Sequence, residues 1–168
     1  MKYFSLLFVC FVLLGCASSN PTLGIAMFGQ IDKNTYQTFE GTLTTETFVL
    51  FPLGSSLNDF DDMGLKIGRI TLNGNVIKYR FQAEVHTGNW IFADTIRIKI
   101  DDKIYRLTDN SPIRQIHSDG YVLEVLTIDI SPEILEEIKT SNAFSAELYK
   151  RVVNLNEKQL EELKQFML

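Results

Sequence analysis

The sequence predicts an α+β fold that is mainly antiparallel β, arranged as a sandwich or curved sheet, with two short C-terminal helices. Three observations carry this. Apolar and polar residues alternate with period two over several long segments. Hairpin-type turn signals stand between those segments. Two capped amphipathic stretches follow in the C-terminal third.

Taken in order, residues 39–51 are rich in threonine and phenylalanine and read as one long strand. Residues 65–72 form the next, closed by Asn73-Gly74, a pair suited to a type I′ turn because both of its central residues need positive φ. The clearest alternation covers residues 76–86. Ile77, Tyr79, Phe81, Ala83 and Val85 point one way, and Lys78, Arg80, Gln82, Glu84 and His86 the other, as in a half-buried strand with a wet face. Residues 94–100 alternate through Ile96, Ile98 and Ile100, and Asp101-Asp102 turns them into residues 103–107. Residues 121–130 are apolar on both faces, which predicts a central strand.

Ser131-Pro132-Glu133 then opens a helix: a capping hydroxyl, proline at the first helical position, and acid at the positive dipole end. Ile134, Leu135 and Ile138 share one of its faces. Residues 144–153 return to strand alternation. Asn156 caps the last helix with Gln159 as capping-box partner, and Leu160, Leu163 and Met167 form the docking stripe. Tyr36, Phe39, Phe48 and Phe51 are expected in the core. Trp90, the sole tryptophan, enters from a Gly-Asn turn; it reads as a core plug or as an anchor for a partner.

Composition bounds the rest. At 168 residues the chain is long enough for one well-buried domain, and its 22% charged fraction is ordinary for a globular protein. A net charge of −5 gives no general attraction to nucleic acid, so no nucleic-acid partner is expected. The amino terminus is different. Lys2 precedes a nearly unbroken apolar run over residues 3–14. As a helix that run reaches about 18 Å, short of the ~30 Å hydrocarbon core, which matches a secretory signal peptide and not a span.

Leu13-Leu14-Gly15-Cys16 resembles the lipobox of bacterial lipoproteins. The resemblance implies a diacylglycerol on the Cys16 thiol, cleavage just before Cys16, and acylation of the new amino terminus. Two or more chains hold a protein stably at a bilayer where one does not. Ala17 stands where aspartate favours inner-membrane retention, so the same resemblance implies the outer membrane as destination. Residues 1–15 are then the signal peptide, 16–34 the lipidated N-terminus and tether, and 35–168 a single β-rich domain. Of the two cysteines, Cys10 leaves with the signal and Cys16 is acylated. Thiol catalysis, disulfides and cysteine-ligated metals are thereby excluded from the mature chain.

The search for chemistry is less productive. Asp59-Phe60-Asp61-Asp62-Met63-Gly64 begins like a calcium loop, but Met63 and Ile70 stand where an oxygen ligand and a bidentate glutamate are required, so a solvated acidic loop is expected. His86 and His117 lie in no metal-ligand spacing, and neither a metal nor a cofactor is expected. His117-Ser118-Asp119 has triad residue types, yet sequence neighbours do not stack as nucleophile, base and orienter; residues 118–120 read as a turn. Glu84 and His86 share a strand face, as i and i+2 must, and with Trp90 make a candidate ligand pocket, with Asp94 as a further acid. Lys78, Arg80, Arg97 and Lys99 read as a solvated face that becomes an anion-attracting patch if their strands adjoin.

Two function classes follow. The first is a membrane-anchored, non-enzymatic envelope module that binds another envelope protein or polymer, an inhibitor presenting the loop 54–64 being one form of it. The second is a small envelope hydrolase or ligand carrier using the Glu84, His86 and Trp90 pocket.

Overall fold

The computed structural model describes residues 28–51, 62–118 and 120–168. The expected signal peptide, Cys16 and most of the expected tether lie outside the described residues. So do residues 52–61, which include Asp59, Asp61 and most of the loop 54–64.

The described chain forms two antiparallel sheets and two helices. Sheet 1 takes β1 (Ile31–Thr38), β2 (Gly41–Phe51), β3 (Asp62–Leu72), β4 (Asn75–Thr87), β8 (Val122–Asp129) and β7 (Ile113–Ile116), in the spatial order β1-β2-β3-β4-β8-β7. Sheet 2 takes β10 (Arg151–Asn154), β9 (Phe144–Leu148), β5 (Thr95–Ile100) and β6 (Lys103–Thr108), in the order β10-β9-β5-β6. The helices are α1 (Pro132–Thr140) and α2 (Glu157–Phe166). Sheet 1 is curled like a half-barrel. The chain builds β1 to β4, crosses to sheet 2 for the β5–β6 hairpin, and returns for β7 and β8. After α1 it crosses again for β9 and β10. The α+β class, the curved antiparallel sheet and the two short helices are those the sequence predicts; α2 closes the chain, while α1 precedes the last hairpin.

Local chemistry explains the hairpins. Asn73 and Gly74 both have positive φ (52° and 83°), as a type I′ turn requires, and in the β5–β6 turn Asp101 is at positive φ (50°). On β4 the inward residues Tyr79, Phe81, Ala83 and Val85 are buried as their alternation predicts. Ile77 is not. The β3–β4 register passes from Ile70↔Lys78 to Thr71↔Val76, so Ile77 is the extra residue of a bulge and faces solvent.

Three further expectations change. The long strand expected over residues 39–51 is β2 but begins at Gly41, because Phe39 and Glu40 form the turn from β1. Of the four aromatics expected in the core, Phe48 and Phe51 are buried, while Phe39 in that turn and Tyr36 on the exposed strand β1 are not. Residues 144–153 likewise fold back at Tyr149-Lys150 to make β9 and β10. Folded structure also begins earlier than residue 35, because Ile31 to Asn34, assigned to the tether, pair with Phe48 to Thr45 across the β1–β2 ladder.

One continuous core joins both sheets and both helices. Phe81, Leu65, Ile67 and Leu126 from sheet 1 share it with Ile96, Ile98 and Leu148 from sheet 2, and all are buried. Ile134 and Ile138 of α1, and Leu160, Leu163 and Phe166 of α2, complete it. Both helices begin as predicted. Ser131 Oγ accepts the Ile134 amide, and Asn156 and Gln159 form a reciprocal capping box. The far end of α2 is held by Arg69 and Tyr79, which donate to the carbonyls of Phe166 (2.9 Å) and Met167 (3.0 Å). A cation at a helix C-terminus also suits the dipole. Among the described residues no helix is long and apolar enough to cross a membrane.

Candidate functional site

The structure gives the three candidate pocket residues separate partners. Glu84 lies on the outer face of β4 and pairs with Lys66 at 3.6 Å. His86, on the same face, stacks on Tyr121 with centroids 5.5 Å apart, and His117 stacks on the same tyrosine at 4.4 Å. The Nε2 atoms of both histidines are buried without a hydrogen-bond partner, so no imidazole–carboxylate pair forms through that atom. Trp90 is half-buried and stacks on Phe92 at 6.3 Å. It is therefore a surface aromatic, not a core plug. Among the described residues no group of three or more histidine, cysteine, aspartate or glutamate side chains is placed to hold a metal ion. The basic series also divides. Lys78 and Arg80 share Asp129 on sheet 1, while Arg97 pairs with Glu147 on sheet 2, so the four cations form no common patch.

What the structure does build is a site around the segment from Gly88 to Asp94, which links the sheets. Its anchor is Glu124. On β8 this residue is in phase with Val122, Leu126 and Ile128, so its carboxylate enters the interior and is fully buried. Its partners are all donors: Oε1 accepts the amides of Ile91 (2.9 Å) and Phe92 (3.0 Å), and Oε2 accepts Arg114 Nε at 3.0 Å from the neighbouring strand β7. Arg114 also donates to the Ala93 carbonyl at 3.3 Å. A buried carboxylate is tolerated when its lone pairs are used in this way. Here Glu124 and Arg114 together clamp three consecutive residues of the linking segment.

The clamp holds Phe92 at φ 54°, a left-handed conformation that an aromatic residue rarely adopts. The residue is left 65% exposed, its ring flanked by Trp90 and by the Arg114 guanidinium 5.5 Å from the ring centre. A second aromatic with the same backbone strain stands across from it. Tyr149, the first residue of the β9–β10 turn, also has φ 54° and is 44% exposed. Between them lies a groove of about 330 Å³ on the outer face of sheet 2. Its floor is Thr95 and Arg97 of β5, Arg106 of β6 and Glu147 of β9, with Asp94 at the rim. The ladder makes this floor: Arg97 lies directly between Arg106 and Glu147, so the three side chains emerge side by side. Glu147 pairs with Arg97 and offsets the like-charge contact. The Arg106 guanidinium has no ion-pair or side-chain hydrogen-bond partner among the described residues.

Strained backbone at two exposed aromatics is unfavourable for folding and therefore informative. Asparagine suits the turn position of Tyr149 better. Tyr149→Asn is expected to stabilise the domain by about 1 kcal/mol, read as a higher urea midpoint at unchanged slope. A lower midpoint would mean that the Tyr149 ring is needed for packing, not display.

A second hollow, of about 600 Å³, opens on the inner face of sheet 1 beside α2. Its charges are already engaged with one another. Glu46 binds Arg69 at 2.6 Å and Lys33 at 3.0 Å, and Arg69 is tied to α2, so the cluster acts as a clamp on the helix. The hydrogen bonds from Arg69 and Lys33 hold the Glu46 carboxyl below the usual glutamate range. Lys103 and Tyr105 do the same for Glu137 of α1. A depressed folded value contributes stability that is present above the ordinary value near 4.5 and is lost as pH falls through the folded value. Urea midpoints should therefore drop below about pH 4.5, and the Glu46→Gln, Glu137→Gln double variant should show a shallower drop. An identical acid limb in the two proteins would contradict this assignment.

Fold and site together define a two-sheet antiparallel β protein with an aromatic-flanked groove. Comparison with family models, with curated protein sequences and with solved structures found no match.

Proposed function

We propose that this chain is a lipid-anchored protein of the bacterial cell envelope, outer membrane rather than inner, whose domain is a non-enzymatic module for binding another envelope protein or polymer. The anchor rests on Leu13-Leu14-Gly15-Cys16. The observation that carries the binding role is the groove, where Phe92 and Tyr149 are both presented to solvent from strained backbone. Aromatics displayed at such a cost suit a contact surface, and anchoring suits weak recognition because confinement raises effective concentration. The alternative, a hydrolase or carrier pocket of Glu84, His86 and Trp90, has no comparable support, since each of those residues is engaged elsewhere.

Two measurements test the proposal. The parent protein should incorporate labelled palmitate and fractionate with membranes, and Cys16→Ser should lose both properties. Identical fractionation of the two would remove the anchor. A photoreactive residue at Phe92 should crosslink to an envelope protein or polymer in intact cells, and one at Glu84 should not. The reverse pattern would shift the site to the outer face of sheet 1.

A further inference from the structure

The groove is specific enough to say what class of ligand it takes, granted the binding role proposed above. Its backbone is already committed, because β5 pairs with β6 on one side and β9 on the other. A peptide lying over the central floor strand β5 therefore has no ladder to join; the unpaired edge beside the floor is the outer edge of β6, and a strand added there would extend the sheet in its plane without filling the groove. Recognition must come from side chains. Their charges balance, with Arg97 and Arg106 against Asp94 and Glu147. Balanced charge gives no attraction for a phosphate-rich or sulfated polymer.

What remains is two exposed aromatics, Phe92 with Trp90 and the Arg114 guanidinium against its ring and Tyr149 with Lys150 Nζ 5.0 Å from its ring centre, beside a floor of planar, multiply hydrogen-bonding groups. The guanidinium of Arg106 offers forked donors, Glu147 and Asp94 offer forked acceptors, and Thr95 adds a hydroxyl. A pyranose ring has the complementary surface: an apolar C–H face for an aromatic platform, and a rim of adjacent hydroxyls that accept and donate in pairs. At about 330 Å³ the groove lies at the small end of ligand sites, fit for one or two such rings of a longer chain. We propose that the groove between Phe92 and Tyr149 binds neutral pyranose units of an envelope glycan, with the two rings as stacking platforms and Arg106, Glu147 and Asp94 as hydroxyl partners.

Trp90 provides the readout, being the sole tryptophan and stacked on Phe92 at the groove. The full-length acylated protein in detergent micelles would be titrated with cellotetraose, chitotetraose and heparin. The expected result is a saturable change in Trp90 fluorescence with at least one of the two neutral tetrasaccharides below about 10 mM, and none with heparin. A preference for chitotetraose would assign the N-acetylated class. Tyr149→Asn should weaken that binding about tenfold or more while melting no lower than the parent, which separates loss of a platform from loss of fold. Silence with both tetrasaccharides, stronger binding of heparin, or unchanged affinity in Tyr149→Asn would each overturn the glycan assignment. If Phe92 crosslinking still captures an envelope protein in that case, the module reading stands and only the ligand class falls. If it captures nothing, both fall.

Discussion

Replacing Glu124 by alanine is expected to destabilise the domain by about 3–5 kcal/mol, because it leaves the partners of a buried charge without an acceptor. The amides of Ile91 and Phe92 and the Arg114 guanidinium all lose the one carboxylate they share. Thermal unfolding should fall by on the order of 10 °C. Glu124→Gln should lie between the two. Its carbonyl oxygen still accepts the two amides, but its NH₂ then faces the Arg114 donor. A Glu124→Ala protein melting within about 2 °C of the parent would show that the clamp contributes little. The same variant carries a functional signature. With Phe92 no longer held, the environment of Trp90 should change even in the folded protein, seen as an altered emission maximum well below the melting transition.

Gly41→Ala is the second large effect. Gly41 has φ 131°, where only glycine is at ease, and an added Cβ would lie 2.6 Å from Asn73 Cγ. The conformation alone costs about 1–3 kcal/mol. Displacing Asn73 adds more, since its side chain links the two hairpin ends, accepting the Thr42 amide at 2.9 Å and donating to the Glu40 carbonyl at 3.1 Å. With roughly 1 kcal/mol for each hydrogen bond, the total comes to about 3–5 kcal/mol in urea unfolding. The steric part is separable. In an Asn73→Ala background the same glycine change should cost at least about 1 kcal/mol less, a coupling that a double-mutant cycle measures. Strict additivity would refute the contact.

The parts of this fold legible in the sequence were those fixed by neighbours a few residues apart. Asn73-Gly74 dictates its turn, Ser131-Pro132 and Asn156–Gln159 dictate their helix starts, and the alternation through Tyr79, Phe81, Ala83 and Val85 dictates a buried face. The edge strands were harder for a physical reason. β1 is exposed along its whole length and β7 is four residues long, so neither carries an apolar period. The β9–β10 turn lacks glycine, asparagine and aspartate, and its one signal is a change of phase: apolar positions Phe144, Ala146 and Leu148 give way to Val153 and Leu155. Glu124 left a similar trace, as a charge in step with Val122, Leu126 and Ile128.

The site itself was less accessible. Trp90 could be singled out as a lone large aromatic, but its true companions, Phe92 and Tyr149, look ordinary in the chain because backbone conformation is what makes them unusual. Glu84 and His86 were correctly placed on one strand face, yet sharing a face does not make a pocket, and cross-strand neighbours engage both.

Local architecture thus came from short-range chemistry: turn, cap and period signals define a largely antiparallel protein, and the apolar leader with Cys16 is what the proposed anchor rests on. The assembly of the groove came from pairing across distance. Arg97 meets Arg106 and Glu147, and Glu124 meets Arg114 and the Phe92 amide, through ladder registers and a sheet crossing that no local sequence pattern encodes. Such contacts depend on where whole strands settle when a common core is buried, and so they exist only once the chain has folded.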